Sequence, residues 1–178
     1  MRIIAGRARG THLFAPKGLE IRPTLDRVRE SLFSILSPRL EGARFLDLFA
    51  GTGANGIEAL SRGASSATFV DEDRRALDVI RDNLTRTRLE DKAQVLKARL
   101  PQDLRLVDGL YDIIFADPPY AFADYAALIE GIAGRQLLTH DGLFILEHDR
   151  RCPVPETDAP WTRVREARYG DTVLSFYA

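Results

Sequence analysis

The sequence is poor in the residues that build cross-links and metal centres. It has one cysteine, Cys152, in 178 residues. A single cysteine excludes an internal disulfide and any cysteine-rich metal cluster, and the expected location is the cytoplasm. His12, His140 and His148 show no metal-ligand spacing, so no metal is expected. No apolar run reaches the length of a membrane span. Met1 to Gly10 carries three arginines and no long apolar stretch, unlike a secretory signal. No serine sits on a nucleophile-elbow pattern. Repeats and low-complexity tracts are absent too. What remains is a chain with enough residues for one medium α/β domain with a buried core.

The overall charge of −1 conceals an asymmetry. Residues 1–44 hold nine Lys/Arg against four Asp/Glu, a net +5, and the remainder is net −6. A basic end on an acidic body fits contact with phosphate; a solvated arm without a partner would look the same. The first sixteen residues read as a hairpin or a loose arm around Gly6 and Gly10. Val28, Leu32, Ile35 and Leu36 then recur at helical spacing, predicting a helix over about 25–36 that starts at Thr24 or Asp26 and stops at Pro38.

From Arg44 strands and helices alternate. Strands are expected at 45–49, 67–70, 93–97, 112–116 and 142–147, helices at 55–62, 74–86 and 123–138. The strand runs are almost wholly apolar, as in a parallel sheet covered on both faces. Residues 161–167 and 172–177 flank Tyr169-Gly170-Asp171, a hairpin signal, and the three prolines of 151–160 read as a loop. The expectation is a Rossmann-like domain over 44–178 with a seven-stranded sheet, five strands parallel and an antiparallel hairpin at the C-terminus. Residues 1–43 would form a small basic hairpin and helix as an RNA-contacting extension.

Three motifs carry chemistry. FLDLFAGTGANG, 45–56, runs an apolar strand into Gly51-Thr52-Gly53 and Gly56 before a helix, the context in which a backbone closes on a nucleotide-like ligand. Asp71, twenty positions after Gly51 with Glu72 beside it, can accept both hydroxyl protons of a ribose. These two motifs suit NAD and S-adenosylmethionine alike. Asp47, at the end of the first strand, is awkward beside a pyrophosphate but useful near the amino group of a methionine. The chain also leaves little room for a second, substrate-binding domain. Asp117-Pro118-Pro119-Tyr120 follows the apolar strand IIFA. An amino group on a base must rehybridise before it can attack a methyl group. Asp117 and the Pro118 carbonyl can accept its two N–H bonds, and Tyr120 can stack on a base drawn out of its helix. The bland reading is a structural Pro-Pro turn, but ligands bind at the C-terminal edge of such sheets.

FLDLFAGTGANGIEALSRGA and ADPPY are similar to class I methyltransferases that act on amino groups. With MRIIAGRARG and RPTLDRVRESLFSIL they resemble the RsmD family over nearly the whole chain. The resemblance implies S-adenosylmethionine as cofactor and the N2 of one guanine in bacterial small-subunit ribosomal RNA as target, probed within an assembled or assembling particle by a monomer. It implies that Asp47, Phe49, Gly51, Thr52 and Gly53 line the methionine part, that Asp71 and Glu72 meet the ribose, and that Asp117 to Tyr120 form the catalytic turn. Arg7, Arg9, Arg22, Thr24, Arg27 and Arg29 would meet RNA. Where such enzymes often place an acid near the adenine, this chain has Arg99, so backbone groups near Leu100 are the alternative. Two other functions fit the motifs less well: methylation of adenine N6 or protein glutamine, and non-catalytic RNA binding in subunit assembly.

Overall fold

The computed structural model describes residues 1–15, 23–152, 154 and 161–178, with 23–25 as backbone alone. Arg22, the Thr24 side chain and most of the 151–160 loop lie outside the described residues. The strands are β1 (Arg44–Leu48), β2 (Ser66–Asp71), β3 (Ala93–Lys97), β4 (Tyr111–Ala116), β5 (Leu138–Asp149), β6 (Arg163–Tyr169) and β7 (Thr172–Tyr177). The helices are α1 (Pro23–Leu36), α2 (Ala54–Ser61), α3 (Arg74–Thr87) and α4 (Tyr125–Gly134). The strands form one sheet in the order β3-β2-β1-β4-β5-β7-β6. β1 to β5 run parallel, and β7 and β6 follow antiparallel as a hairpin. No helix among the described residues is long and apolar enough to cross a membrane.

Alternation along each strand divides the core in two. Phe45, Phe69, Ile113, Phe115 and Ile145 face α1, α2 and α3, whereas Leu46, Leu48, Val70, Ile114 and Phe144 face α4 and the turns before β4. Both faces are buried, which is why the strand sequences read as continuous apolar runs rather than alternating ones. Each fully buried Phe, Leu or Ile contributes about 1.5–3 kcal/mol.

The expected helix over 123–138 is four residues shorter at its C-terminal end. α4 stops at Gly134, Gln136 turns into the left-handed region (φ 53°), and Leu137 N–H donates to the Ile132 carbonyl at 3.2 Å. That turn releases Leu138 to pair with Tyr111, so β5 starts earlier than its apolar run suggests.

The first fifteen residues are stitched to the body. The segment has one strand-like bridge, Arg2 to His12, and backbone bonds from Ile3 N–H to the Thr11 carbonyl and from Gly10 N–H to the Ile3 carbonyl. Ile3, Ala8 and Leu13 are buried in the same core as α1 and β1. Glu58 of α2, 0 % exposed, accepts from the Ile4 N–H (2.8 Å), the Ala5 N–H (3.0 Å) and Arg62 Nε (2.7 Å). Ser61 Oγ donates to the Ala5 carbonyl and accepts from the Ala8 N–H. A β-carbon at Gly6 would run into the Ser61 carbonyl, so only glycine lets the segment lie this close. Replacing Glu58 with alanine strands two buried N–H groups and the Arg62 cation. We expect a loss of about 2–4 kcal/mol in urea unfolding, with glutamine costing nearly as much, because its amide donor would face the Ile4 or the Ala5 N–H. A loss under about 1 kcal/mol would mean that apolar burial alone holds the segment.

Candidate active site

The strand register lines the chemistry up along one edge. The last paired positions of the central strands are Leu48 with Val70, Leu48 with Ala116, and Ala116 with Leu146. One residue further on, at the C-terminal edge, stand Asp71 (β2), Phe49 (after β1), Asp117 (after β4) and Glu147 (β5). β1 and β4 leave the sheet here and β2 ends at Asp71, while β5 runs on to Asp149 against β7, so side chains and turns surround most of the opening. A cavity of about 680 Å³ is lined by Phe49, Asp71, Glu72, Arg99, Leu100, Gln102, Asp117, Pro119 and the 121–124 turn. A second, of about 130 Å³, lies on the far side of Phe49 and Asp117. Its walls include Met1, Asp26, Arg29, Leu32, Gly51, Thr52, Asn55 and Glu147.

The glycine turn is built by three different devices. Phe49, Gly51 and Gly53 all have left-handed backbone (φ 59°, 55° and 75°). For a phenylalanine this is a strained conformation, and such strain collects at functional turns. Asp71 pins the turn: its Oδ2 accepts from the Gly51 N–H at 2.8 Å and its Oδ1 from the Asp73 N–H at 2.9 Å. Each oxygen keeps a lone pair for a ligand hydroxyl. Gly56 serves packing instead, because a β-carbon there would collide with the Phe69 ring beneath α2.

Asp47 departs from its expected role. It is 1 % exposed, borders neither cavity, and accepts from the Gly56 N–H at 2.8 Å, capping α2 from the strand below. Burial pushes its carboxyl well above the usual carboxylate range, against the pull of the Gly56 N–H. A strand acid has replaced the usual helix cap, since Gly53 has no side chain to offer.

At the Asp117-Pro118-Pro119 turn the Asp117 N–H donates to the Leu48 carbonyl at 3.4 Å and the Phe122 N–H closes onto the Pro119 carbonyl at 2.8 Å. Asp117 opens to solvent through the cavities, yet protein atoms crowd it from most sides, and that desolvation raises its carboxyl to about 7. Glu147 is raised well above its ordinary value, first by burial and then by the charge on Asp117. Pro118 is buried and borders neither cavity. Tyr120 is 80 % exposed, so in this state it stacks on nothing. Phe122 takes the inner place: its ring meets Phe49 edge-on (5.2 Å) and Tyr125 likewise (5.2 Å), forming an aromatic wall. Phe122 and Glu147 were both missed from sequence. Each had a signal, an aromatic two residues past Tyr120 and an acid at a strand's C-terminal end.

Glu72 and Arg99 face each other across the mouth of the larger cavity at 3.8 Å, both well exposed, with buried Leu100 behind them. Arg9 and Arg27 are exposed, as expected of an RNA contact. Arg7 is exposed but donates to the Arg88 carbonyl at 2.9 Å, capping the end of α3. Arg29 corrects the sequence reading: it is 5 % exposed and cannot grip RNA from the surface. Positions 29, 32, 33 and 36 form the buried stripe of α1, and an arginine in that stripe reads as surface only when its charge is considered without its spacing.

The family profile described as Conserved hypothetical protein 95 matches residues 1–178. The Bacillus subtilis (strain 168) protein YlbH is 39% identical over 180 residues, 99% of this chain and 98% of that one. Ribosomal RNA small subunit methyltransferase D of Escherichia coli (strain K12) is 34% identical over 177 residues, 99% of this chain and 89% of that one. The solved structure of the Escherichia coli protein yhhF superimposes with a TM-score of 0.86 at 35% identity, covering 99% of this chain and 96% of that chain. The chain therefore belongs to the family of conserved hypothetical protein 95, the RsmD family.

Proposed function

We propose that this protein transfers a methyl group from S-adenosylmethionine to the exocyclic N2 of a guanine in small-subunit ribosomal RNA. The observation that carries this reading is the single row of Asp71, Phe49, Asp117 and Glu147 along the sheet edge, with the Asp117-Pro118-Pro119 turn beside two adjoining cavities. The donor set suits the cofactor. Asp71 offers two carboxylate lone pairs to a ribose, Leu100 and Phe122 give apolar walls for an adenine, and the first turn of α2, of which Asp47 takes only the Gly56 N–H, offers its other N–H groups. When bound, the cofactor supplies an electrophilic methyl group on a sulfonium. The protein's own part is to orient the amine and localise its lone pair. Asp117, which lines both cavities, accepts an N–H of the amino group; as the methyl–nitrogen bond forms and the methyl–sulfur bond breaks, the extra proton passes from nitrogen to carboxylate or water. The rRNA methyltransferase named among the family's relatives supports this substrate class.

The test is tritiated methyl transfer to small ribosomal subunits purified from cells that lack the family's enzyme, followed by nucleoside digestion. N2-methylguanosine is the expected product. N6-methyladenosine, or label on protein alone, would overturn the reading.

Met1 and Asp26 line the smaller cavity, so the basic N-terminal segment and the start of α1 border the site. Arg2, Arg9 and Arg27 are exposed, and in this reading they meet phosphate. Changing Arg9 and Arg27 together to alanine should reduce the slope of log affinity for small subunits against log salt by about 1.4–1.8, and leave cofactor binding unchanged. Identical slopes for the two proteins would rule out these arginines as an RNA grip.

A further inference from the structure

Arg29 sits in the apolar stripe of α1, and its side chain lines the smaller cavity. One nitrogen, Nη2, donates to the Arg2 carbonyl at 2.6 Å and to Asp26 Oδ1 at 3.0 Å. The other two, Nε and Nη1, are buried with no hydrogen-bond partner among the described residues. A guanidinium presents its donors in a planar fork and cannot shed its charge to relieve them. Asp26 is itself 42 % exposed and engages only one nitrogen, so the ion pair leaves this buried cation half satisfied. A native protein seldom leaves two buried donors unmet unless something else meets them.

We propose that Arg29 receives the α-carboxylate at the amino-acid end of the cofactor, in the smaller cavity. The inference rests on the cofactor named under Proposed function. Phe49 and Asp117 line both cavities, so the two adjoin at these residues. With the ribose on Asp71 and the reacting methyl beside Asp117, the amino-acid arm that extends beyond the sulfur passes Phe49 and Gly51 into the smaller cavity. That space, about 130 Å³, suits a terminal carboxylate and is too small for a backbone phosphate with its flanking sugars. Its walls also fit an amino acid rather than a plain anion. The lining combines Arg29 and the first residues of α2, Ala54 and Asn55, with the acids Asp117 and Glu147. A simple anion would be repelled by the two acids. A zwitterion places its carboxylate toward the guanidinium and helix start, and its ammonium toward the carboxylates.

The test compares two ligands that differ only in that carboxylate: S-adenosylhomocysteine and its decarboxylated analogue, S-adenosyl-3-thiopropylamine. Calorimetry on the full-length wild-type protein should show S-adenosylhomocysteine binding more tightly by about ten- to a hundred-fold. Arg29→Gln should lose most of that preference by weakening S-adenosylhomocysteine alone, with the analogue changed less than about threefold. Arg29→Lys keeps the charge without the fork and should fall between them. It also carries the test if the glutamine variant fails to fold, as judged by circular dichroism and melting. Equal losses for both ligands would make Arg29 a structural residue and overturn the proposal. Unchanged affinity for both, with a raised KM for RNA, would move the guanidinium to the base and overturn it equally. A wild-type protein that binds neither ligand would overturn the cofactor reading, and this proposal with it.

Discussion

Asp117→Ala should slow methyl transfer by about 10²- to 10³-fold while changing cofactor affinity little. The bonds at stake strengthen as the amine nitrogen becomes tetrahedral, so their loss falls on the transition state rather than on the bound ground state. Asp117→Asn keeps one neutral acceptor and should be slowed less. The pH dependence follows from the same carboxylate. Its acceptor role requires the ionised form, and crowding holds its ionisation near about 7. With cofactor below saturation, the rate should therefore rise by about tenfold per pH unit below that point and level off above it. A bound sulfonium is a nearby positive charge and should draw the inflection lower when cofactor saturates. Glu147 stands one step beyond Leu146 just as Asp117 stands beyond Ala116, but burial alone lifts Asp117, whereas the Asp117 charge adds to burial in lifting Glu147, so Asp117 ionises first of the two. Glu147→Gln should therefore leave the inflection nearly where it is; Asp117→Asn should abolish it. Single-turnover rates at saturating cofactor, with a separate cofactor titration, divide the two effects. Near wild-type transfer by Asp117→Ala would end the catalytic assignment.

How much of this was legible depended on whether a residue's role follows from its own segment. The parallel strands showed as apolar runs, because helices on both faces demand that composition, and the hairpin after β5 showed through its Gly170 turn. Asp71 and Asp117 were legible for the same reason: an acid directly after an apolar strand stands at the edge where ligands bind. Asp47 lies two residues inside that edge, where the side chain turns under α2 toward Gly56 rather than outward. Arg29 was misplaced because its charge outweighed its spacing, although its partner, the Arg2 carbonyl, is 27 positions away and invisible to any local pattern. The clamp of Glu58 and Ser61 on residues 4–8 is likewise a long-range pairing of a helix interior with a loop. The basic count of the first 44 residues was real, but charge alone could not separate the arginines that cap or brace the fold, Arg7 and Arg29, from those left free for a partner.

Asp71→Ala should weaken S-adenosylhomocysteine by about ten- to a hundred-fold, the value of a charged acceptor removed from two ligand hydroxyls. The same change also frees the Gly51 and Asp73 N–H groups, so part of the loss could come from a loosened glycine turn. The two contributions separate with a ligand that lacks one hydroxyl. Wild-type protein should prefer S-adenosylhomocysteine over its 2′-deoxy analogue by about five- to tenfold, the net worth of one hydrogen bond whose place water can take. If the carboxylate reads the ribose, the alanine variant loses that preference. If the carboxylate only braces the turn, the variant weakens both ligands and keeps the preference. Asparagine is no safe isostere at this position: turning one oxygen into an amide donor sets it against a backbone N–H, either Gly51 or Asp73, so Asp71→Asn should bind nearly as poorly as alanine. Glu72 provides the contrast. Its side chain is 68 % exposed and its contact with Arg99 is 3.8 Å, a pair that water and salt largely screen, so Glu72→Gln should shift affinity by less than about fivefold. A variant at Asp71 that still discriminates between the two ligands would show that the ribose is held by another group.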